Sequence, residues 1–246
     1  MIRVGVVGAQ GKMGSQACRA VQAADDLELT AQVDMDGDLA ALAGADVAVD
    51  FTHPGAVMDN IAWCVAHGVS VVAGTSGFTE DRLATVGSQL AEAPDVGVIV
   101  VPNFSVGAVL MMRFAAEAAR FYESVEIIEL HHPTKADAPS GTARRTAELI
   151  SAARSEAGAG PIPDATADQV DGARGASVEG IAVHSLRISG LVAHQEVILG
   201  SAGEILTIRH DSLDRESFMP GVLAAVRAVV QTPGLTVGLD SALGLA

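Results

Sequence analysis

The chain has 246 residues, 49% of them hydrophobic, and a formal net charge of −15. That length and apolar content furnish one large core or two smaller ones, and the charge argues against a nucleic acid or an anionic membrane as partner. An anionic small molecule would need positive charge concentrated locally against the global field.

The first predicted element is a buried strand over residues 3–8, followed by a helical run from about Lys12 to Ala24. Between them lie Gly8, Ala9, Gln10, Gly11, Lys12, Met13 and Gly14. Glycines at 8, 11 and 14 form a variant of the dinucleotide fingerprint, with its middle glycine one place later than usual. Gly8 would permit the tight turn, Gly11 the approach of a pyrophosphate to the backbone, and Gly14 close packing of helix on sheet. Leu27 to Val33 reads as the second strand and ends at Asp34, where a carboxylate commonly accepts the ribose hydroxyls of NAD. Asp36 is the rival for that role. No arginine follows to hold a 2′-phosphate, which favours NADH, but Lys12 could reach such a phosphate and leaves NADPH open.

Val47 to Phe51 reads as a third strand, with a helix from about Pro54 to Ala66. Val69 to Ala73 is a fourth, running into Gly74, Thr75, Ser76 and Gly77. Val96 to Val101 is a fifth, running into Pro102, Asn103, Phe104 and Ser105. In a doubly wound sheet the carboxyl ends of the strands line the ligand crevice, so both turns belong beside a cofactor. His53 and His67 fit a cap region and a helix end rather than catalysis. Cys18 and Cys64 fall in apolar helical patterns and make no disulfide framework.

A helix over 105–122 leads to the strand pattern Val125 to Leu130, and then to the densest chemistry in the chain. His131, His132 and Lys135 precede Ser140-Gly141-Thr142, where a helix begins and runs to about Ala153. Free N–H groups at that helix start would cradle a carboxylate or phosphate. Ser140 could instead simply cap the helix, which would not account for the histidines and the lysine. The chain has only two lysines, Lys12 and Lys135, among its 15 basic residues. Arginine keeps its proton whereas lysine can transfer one, so a lysine beside two histidines marks a place where arginine would not serve.

Residues 157–180 are rich in Gly, Pro, Ala and Asp and read as a surface excursion, a candidate mobile flap. Strands follow at 181–189, 195–199 and 204–209, and their density predicts antiparallel pairing. A helix over 215–230 and a strand over 235–239 close the chain. His184, His194 and His210 read as structural, with His194 and Arg215 as alternative cleft residues. Met1 leads directly into a strand, and no apolar run is long enough to span a bilayer, so a soluble cytoplasmic protein is expected.

The glycine loop, Gly74-Thr75-Ser76-Gly77, Pro102-Asn103-Phe104 and the stretch from Glu129 through His131-His132, Lys135 and Asp137 to Thr142 together resemble the 4-hydroxy-tetrahydrodipicolinate reductase family over essentially the whole chain. The resemblance implies a Rossmann-like doubly wound dinucleotide-binding domain over 1–104, completed by 214–246. It also implies a smaller α+β mixed-sheet domain over 105–213 for substrate binding and tetramerisation. The implied reaction is reduction of a cyclic imine dicarboxylate by NADH or NADPH on the diaminopimelate route to lysine, in a homotetramer without a metal. Carried over, His131 is the acid/base and Lys135 the proton donor. His132, Ser140, Gly141 and Thr142 contact substrate. Gly8 to Met13, Asp34, Gly74 to Ser76 and Val101 to Phe104 contact the cofactor. Ser76 stands where many relatives have threonine, and Gln10 replaces a basic residue of some relatives, which weakens the case for NADPH. Two rival classes remain. One is another Rossmann dehydrogenase with a mixed-sheet catalytic domain, whose phosphorylating type would need a nucleophilic loop cysteine. The other is a non-catalytic NAD(H) sensor, which would need no proton donor.

Overall fold

Six parallel strands organise residues 1–106 and 215–246, which form one unit of the chain; residues 107–214 form the other. The computed structural model describes residues 1–35 and 37–245. In the first unit the strands Ile2–Val7 (β1), Leu27–Val33 (β2), Val47–Asp50 (β3), Ser70–Ala73 (β4) and Gly97–Val100 (β5) are joined by a late strand, Gly234–Val237. The sheet order runs from that late strand through β5, β4, β3 and β1 to β2. Every residue of β3, β4 and β5 is buried, as expected when helices cover both faces of a parallel sheet.

The helices are Lys12–Gln22 (α1), Val57–Ala66 (α2), Glu80–Ala91 (α3) and the late helix Met219–Val229. Ile61, Cys64 and Val65 of α2 and Val86 and Leu90 of α3 pack with the strand valines into one core. The helix expected from Pro54 starts at Val57, because residues 53–56 first make a turn closed by the Ala56 N–H on the His53 carbonyl. The chain leaves β1 for β2 on one side and later adds β3 on the other. This reversal of strand order opens the crevice at the carboxyl ends of β1 and β3.

Helix Val106–Ala119 (α4) leads into the second unit, followed by strand Ser124–His131 (β6). Helix Gly141–Glu156 (α5) follows, then strands Ala176–Val178 (β7), Ile181–Arg187 (β8), Ala193–Ser201 (β9) and Glu204–Ser212 (β10). The sheet order is β10-β9-β6-β8-β7. The expectation of antiparallel pairing holds for β9 with β10, while β7, a strand inside the expected excursion, pairs antiparallel with β8. It fails for β8 and β9, which are not neighbours. The α5 crossover brings β8 back parallel to β6, and β9 takes β6's other edge.

Val125 and Ile127 of β6, Ile181 and Val183 of β8, and Val197 and Leu199 of β9 pack beneath Ala143, Ala147 and Ile150 of α5. Buried Arg154 donates to the carbonyls of Ala119, Tyr122, Glu123 and Gly160, tying the end of α4 to the far end of α5. The expected flap is anchored. Arg174 pairs with Asp164 within it and with Glu126 of β6. Among the described residues no helix is long and apolar enough to cross a membrane.

Candidate active site

Alternation along β6 places Glu129 on the same face as Val125 and Ile127, so a carboxylate ends the buried stripe. A buried charge requires partners. Glu129 is 0% exposed and is surrounded by donors, among them the Ser185 hydroxyl of β8. His131 Nδ1 lies 2.5 Å from Oε2, and Arg187 of β8 donates to Oε2 at 3.0 Å and to Oε1 at 2.9 Å. The Ser140 N–H donates to Oε1 at 3.2 Å. Burial alone would raise this carboxyl's pKa, but the bonds from His131 and Arg187 prevail and hold it at about 2.

Arg187 also donates to the Asp137 carbonyl at 2.6 Å, and the Asp137 carboxylate accepts from Lys135 Nζ at 2.7 Å. Burial raises the Asp137 carboxyl, and Lys135 together with the N–H groups of Asp137 and Gly141 more than offsets it, leaving the pKa below its ordinary value. His132 Nδ1 lies 2.8 Å from the Thr134 hydroxyl. Ser140 is 2% exposed, and its hydroxyl accepts from the Ala143 N–H at 3.2 Å. Its hydroxyl thus starts α5 and its N–H holds Glu129, the capping role that the sequence also offered. Gly141 at the first turn has no heavy atom within 4 Å of where a Cβ would stand, so that side of the helix start is open. Behind it, Gln195 of β9 donates to the Thr146 hydroxyl at 2.7 Å, which in turn donates to the Thr142 carbonyl at 2.8 Å.

In the first unit, the glycine loop joins β1 to α1. Gly8 has φ +78°, and a Cβ there would stand 2.8 Å from the Phe51 carbonyl oxygen. A Cβ on Gly14 would come within 2.0 Å of the Gly8 carbonyl oxygen, so only glycine lets α1 approach the loop this closely. No side chain caps α1, which leaves its first N–H groups available. Asp34 follows β2 and accepts from the Gln10 N–H at 2.6 Å and from the Met35 N–H at 3.0 Å. The Gln10 bond, then the Met35 bond, lower its pKa. Asp36, the rival, lies outside the described residues.

Gln10, Gly11, Lys12, Ser76 and Pro102 are exposed, and Met13, Gly74 and Asn103 are half-buried. Ala9, Thr75, Val101 and Phe104 are buried, so what they can present to a ligand is backbone. The Thr75 hydroxyl donates to Asp50 at 3.1 Å, and Phe104 packs edge-to-face on Phe51. Buried Asp50 also accepts from Thr52 and Asn60, bracing the turns after β3 and β4. Sequence reading missed Asp50, Glu129 and Arg187. A charged residue in phase with a buried stripe was the available signal for Glu129.

Of the remaining histidines, His67 caps α2 and stacks on Trp63, and His53 accepts from the Gly55 N–H. His194 pairs with Asp211 at 2.7 Å and His184 with Glu126 at 2.7 Å. Cys18 and Cys64 are free and buried, and burial, followed by the Asp50 charge, pushes the Cys64 thiol up to about 12. That argues against a cysteine nucleophile. Among the described residues no cluster of His, Cys, Asp or Glu is arranged to hold a metal ion.

Two family models match successive parts of the chain. The one described as dihydrodipicolinate reductase, N-terminus, covers residues 2–104, and the one described as dihydrodipicolinate reductase, C-terminus, covers residues 107–243. The chain is 61% identical to the 4-hydroxy-tetrahydrodipicolinate reductase of Cutibacterium acnes over 245 residues, covering 100% of both chains. It is equally 61% identical to that of Thermobifida fusca over 246 residues, again covering 100% of both. Among solved structures, a dipicolinate-bound dihydrodipicolinate reductase from Paenisporosarcina sp. TG-14 superposes with a TM-score of 0.86 at 37% identity, covering 98% of this chain and 99% of that one.

Proposed function

Because the chain belongs to the dihydrodipicolinate reductase family, we propose that it reduces 4-hydroxy-tetrahydrodipicolinate to tetrahydrodipicolinate on the diaminopimelate route to lysine. The observation that carries the reading is one connection, residues 131–142. It joins a histidine whose second ring nitrogen has no partner among the described residues, an ammonium group and a helix start with open space beside Gly141, all braced by a buried carboxylate.

The first unit is the nicotinamide-binding unit in this reading. Its unfilled turn at Gly8–Gly11, the uncapped start of α1 and the adjacent Asp34 carboxylate fit a dinucleotide's pyrophosphate and ribose. Asp34 favours NADH, since its charge repels a 2′-phosphate. Exposed Lys12 keeps NADPH usable. When bound, the cofactor supplies a hydride to the conjugated carbon–nitrogen system of the substrate.

The chain's own residues bind the dicarboxylate and deliver the proton. The N–H groups around Gly141 and Thr142, with the Thr142 hydroxyl, receive one carboxylate at the positive end of α5. His132 contributes a further polar contact. Lys135 exchanges Asp137 for the incoming substrate, and Lys135 and His131 are the groups able to protonate the electron-rich product of hydride addition. The homotetramer implied by the sequence draws, in this reading, on the sheet face carrying Ile128, Leu130, Ile198 and Ile205. None of these belongs to the core beneath α5, and Ile205 is 75% exposed.

The test is to supply purified protein and NADH with 4-hydroxy-tetrahydrodipicolinate made in situ by the preceding synthase. Loss of reduced-nicotinamide absorbance is expected. Binding of NADH without turnover would contradict the reading and favour a sensor.

A further inference from the structure

We propose that Glu129 is the positioning residue of this centre: it locks His131 as the Nδ1–H tautomer, so that Nε2 alone exchanges protons. Through Arg187 and the Ser140 N–H it also fixes Lys135 and the α5 start relative to that nitrogen. The inference rests on reading His131 as the acid/base.

A carboxylate offers about four lone-pair sites. At Glu129 they meet His131 and Arg187 at Oε2 and Arg187 and the Ser140 N–H at Oε1, with the Ser185 hydroxyl as a further donor. The group is fully buried and its acceptor capacity is filled, so it neither touches substrate nor takes up a proton. An ionised carboxylate only accepts, so the imidazole nitrogen facing it must donate in both the neutral and the cationic form. Nε2 has no partner among the described residues and is left to work. From the same carboxylate, the chain Arg187 to the Asp137 carbonyl, then Asp137 to Lys135, leads to the ammonium. The Ser140 N–H, one residue before α5, leads to the cradle. One side chain therefore sets acid, cation and anion site in a common frame.

Glu129→Gln tests this sharply. With its NH₂ group at the Oε1 place, the amide would oppose Arg187 and the Ser140 N–H, neither of which can become an acceptor. With NH₂ at the Oε2 place, only Arg187 is opposed, because His131 can answer by moving its proton to Nε2. The variant is therefore expected to flip the tautomer.

The experiment is ¹⁵N-histidine NMR on substrate-free and cofactor-free protein, with the His131 signals assigned by their loss in His131→Gln. The wild type should show Nδ1–H and Glu129→Gln should show Nε2–H. In steady state, Glu129→Gln should lower kcat by about 10²-fold or more with KM for the dicarboxylate within about threefold, as expected when an acid/base histidine is mis-set. An Nε2–H wild type overturns the proposal even if the variant fails to fold. An unchanged tautomer in a folded variant, or a loss confined to KM, overturns it too. Because the spectra need no substrate, absence of wild-type turnover would remove the reductase reading without deciding this one.

Discussion

Glu126 and Glu129 stand three residues apart on β6, on opposite faces of the sheet, and each is held by one arginine and one histidine. Their fates differ. Glu126 takes Arg174 from the excursion and His184 from β8; its side chain is 31% exposed, and its arginine is shared with Asp164. Glu129 is 0% exposed, takes Arg187 and His131, and adds a backbone N–H from the helix start. Both carboxyls are penalised by burial and rescued by their partners, but only Glu129 is driven down to about 2. The same three residue types make a surface clasp on one face and, in the function proposed above, a braced proton-transfer centre on the other. What separates them is desolvation, the number of donors, and the lysine and open helix start that adjoin only Glu129.

The comparison breaks most visibly on stability. Arg187→Ala leaves a fully buried carboxylate without its cation and should destabilise the chain by about 3–5 kcal/mol. Arg174→Ala should leave the melting temperature close to wild type, because its pair is solvated. Comparable losses in calorimetry would erase the distinction. Acid sharpens it next. The Glu129 pKa is depressed on folding, so its contribution is fully present above the ordinary carboxyl value near 4.5 and is lost as pH falls through about 2. That contribution is on the order of 3 kcal/mol. Stability of Glu129→Gln should accordingly fall less steeply than wild type across that window, and parallel curves would argue against the assignment.

Chemistry comes third. Lys135→Ala and Lys135→Arg should each lower kcat by about 10²-fold, with the arginine variant retaining much more of the substrate affinity, since guanidinium attracts anions but gives up protons poorly. Near-wild-type turnover in Lys135→Arg would reduce the lysine to an anchor. The smallest effect serves as a control from the other unit. Asp34→Ala should weaken NADH about tenfold and NADPH less, as expected for a lost bond to a charged acceptor. Glu129 variants should leave NADH affinity unchanged in the same titration.

Most of this centre was legible before the fold. The apolar strand, the paired histidines, Lys135 and the small residues at the start of α5 are local in sequence, and local patterns report local structure. Ser140 was read both as a ligand and as a cap, and the cap is the role its hydrogen bond to the start of α5 displays. Arg187 was not legible, because it lies 58 residues from Glu129 and reaches it only through the parallel register that sets His131 opposite Arg187. The insertion of β6 between β8 and β9 is equally non-local, and sequential spacing alone argued for simple hairpins. Glu129 itself was visible as a charge in phase with Val125 and Ile127, a pattern that demands a buried partner wherever it occurs.

The most direct test of the contrast is turnover of Glu129→Gln and Glu126→Gln in one assay with saturating NADH. The account predicts that kcat falls about 10²-fold or more at Glu129. At Glu126 it should stay within about twofold of wild type, because an exposed pair contributes little. Equal losses at both glutamates, or full activity in Glu129→Gln, would contradict it.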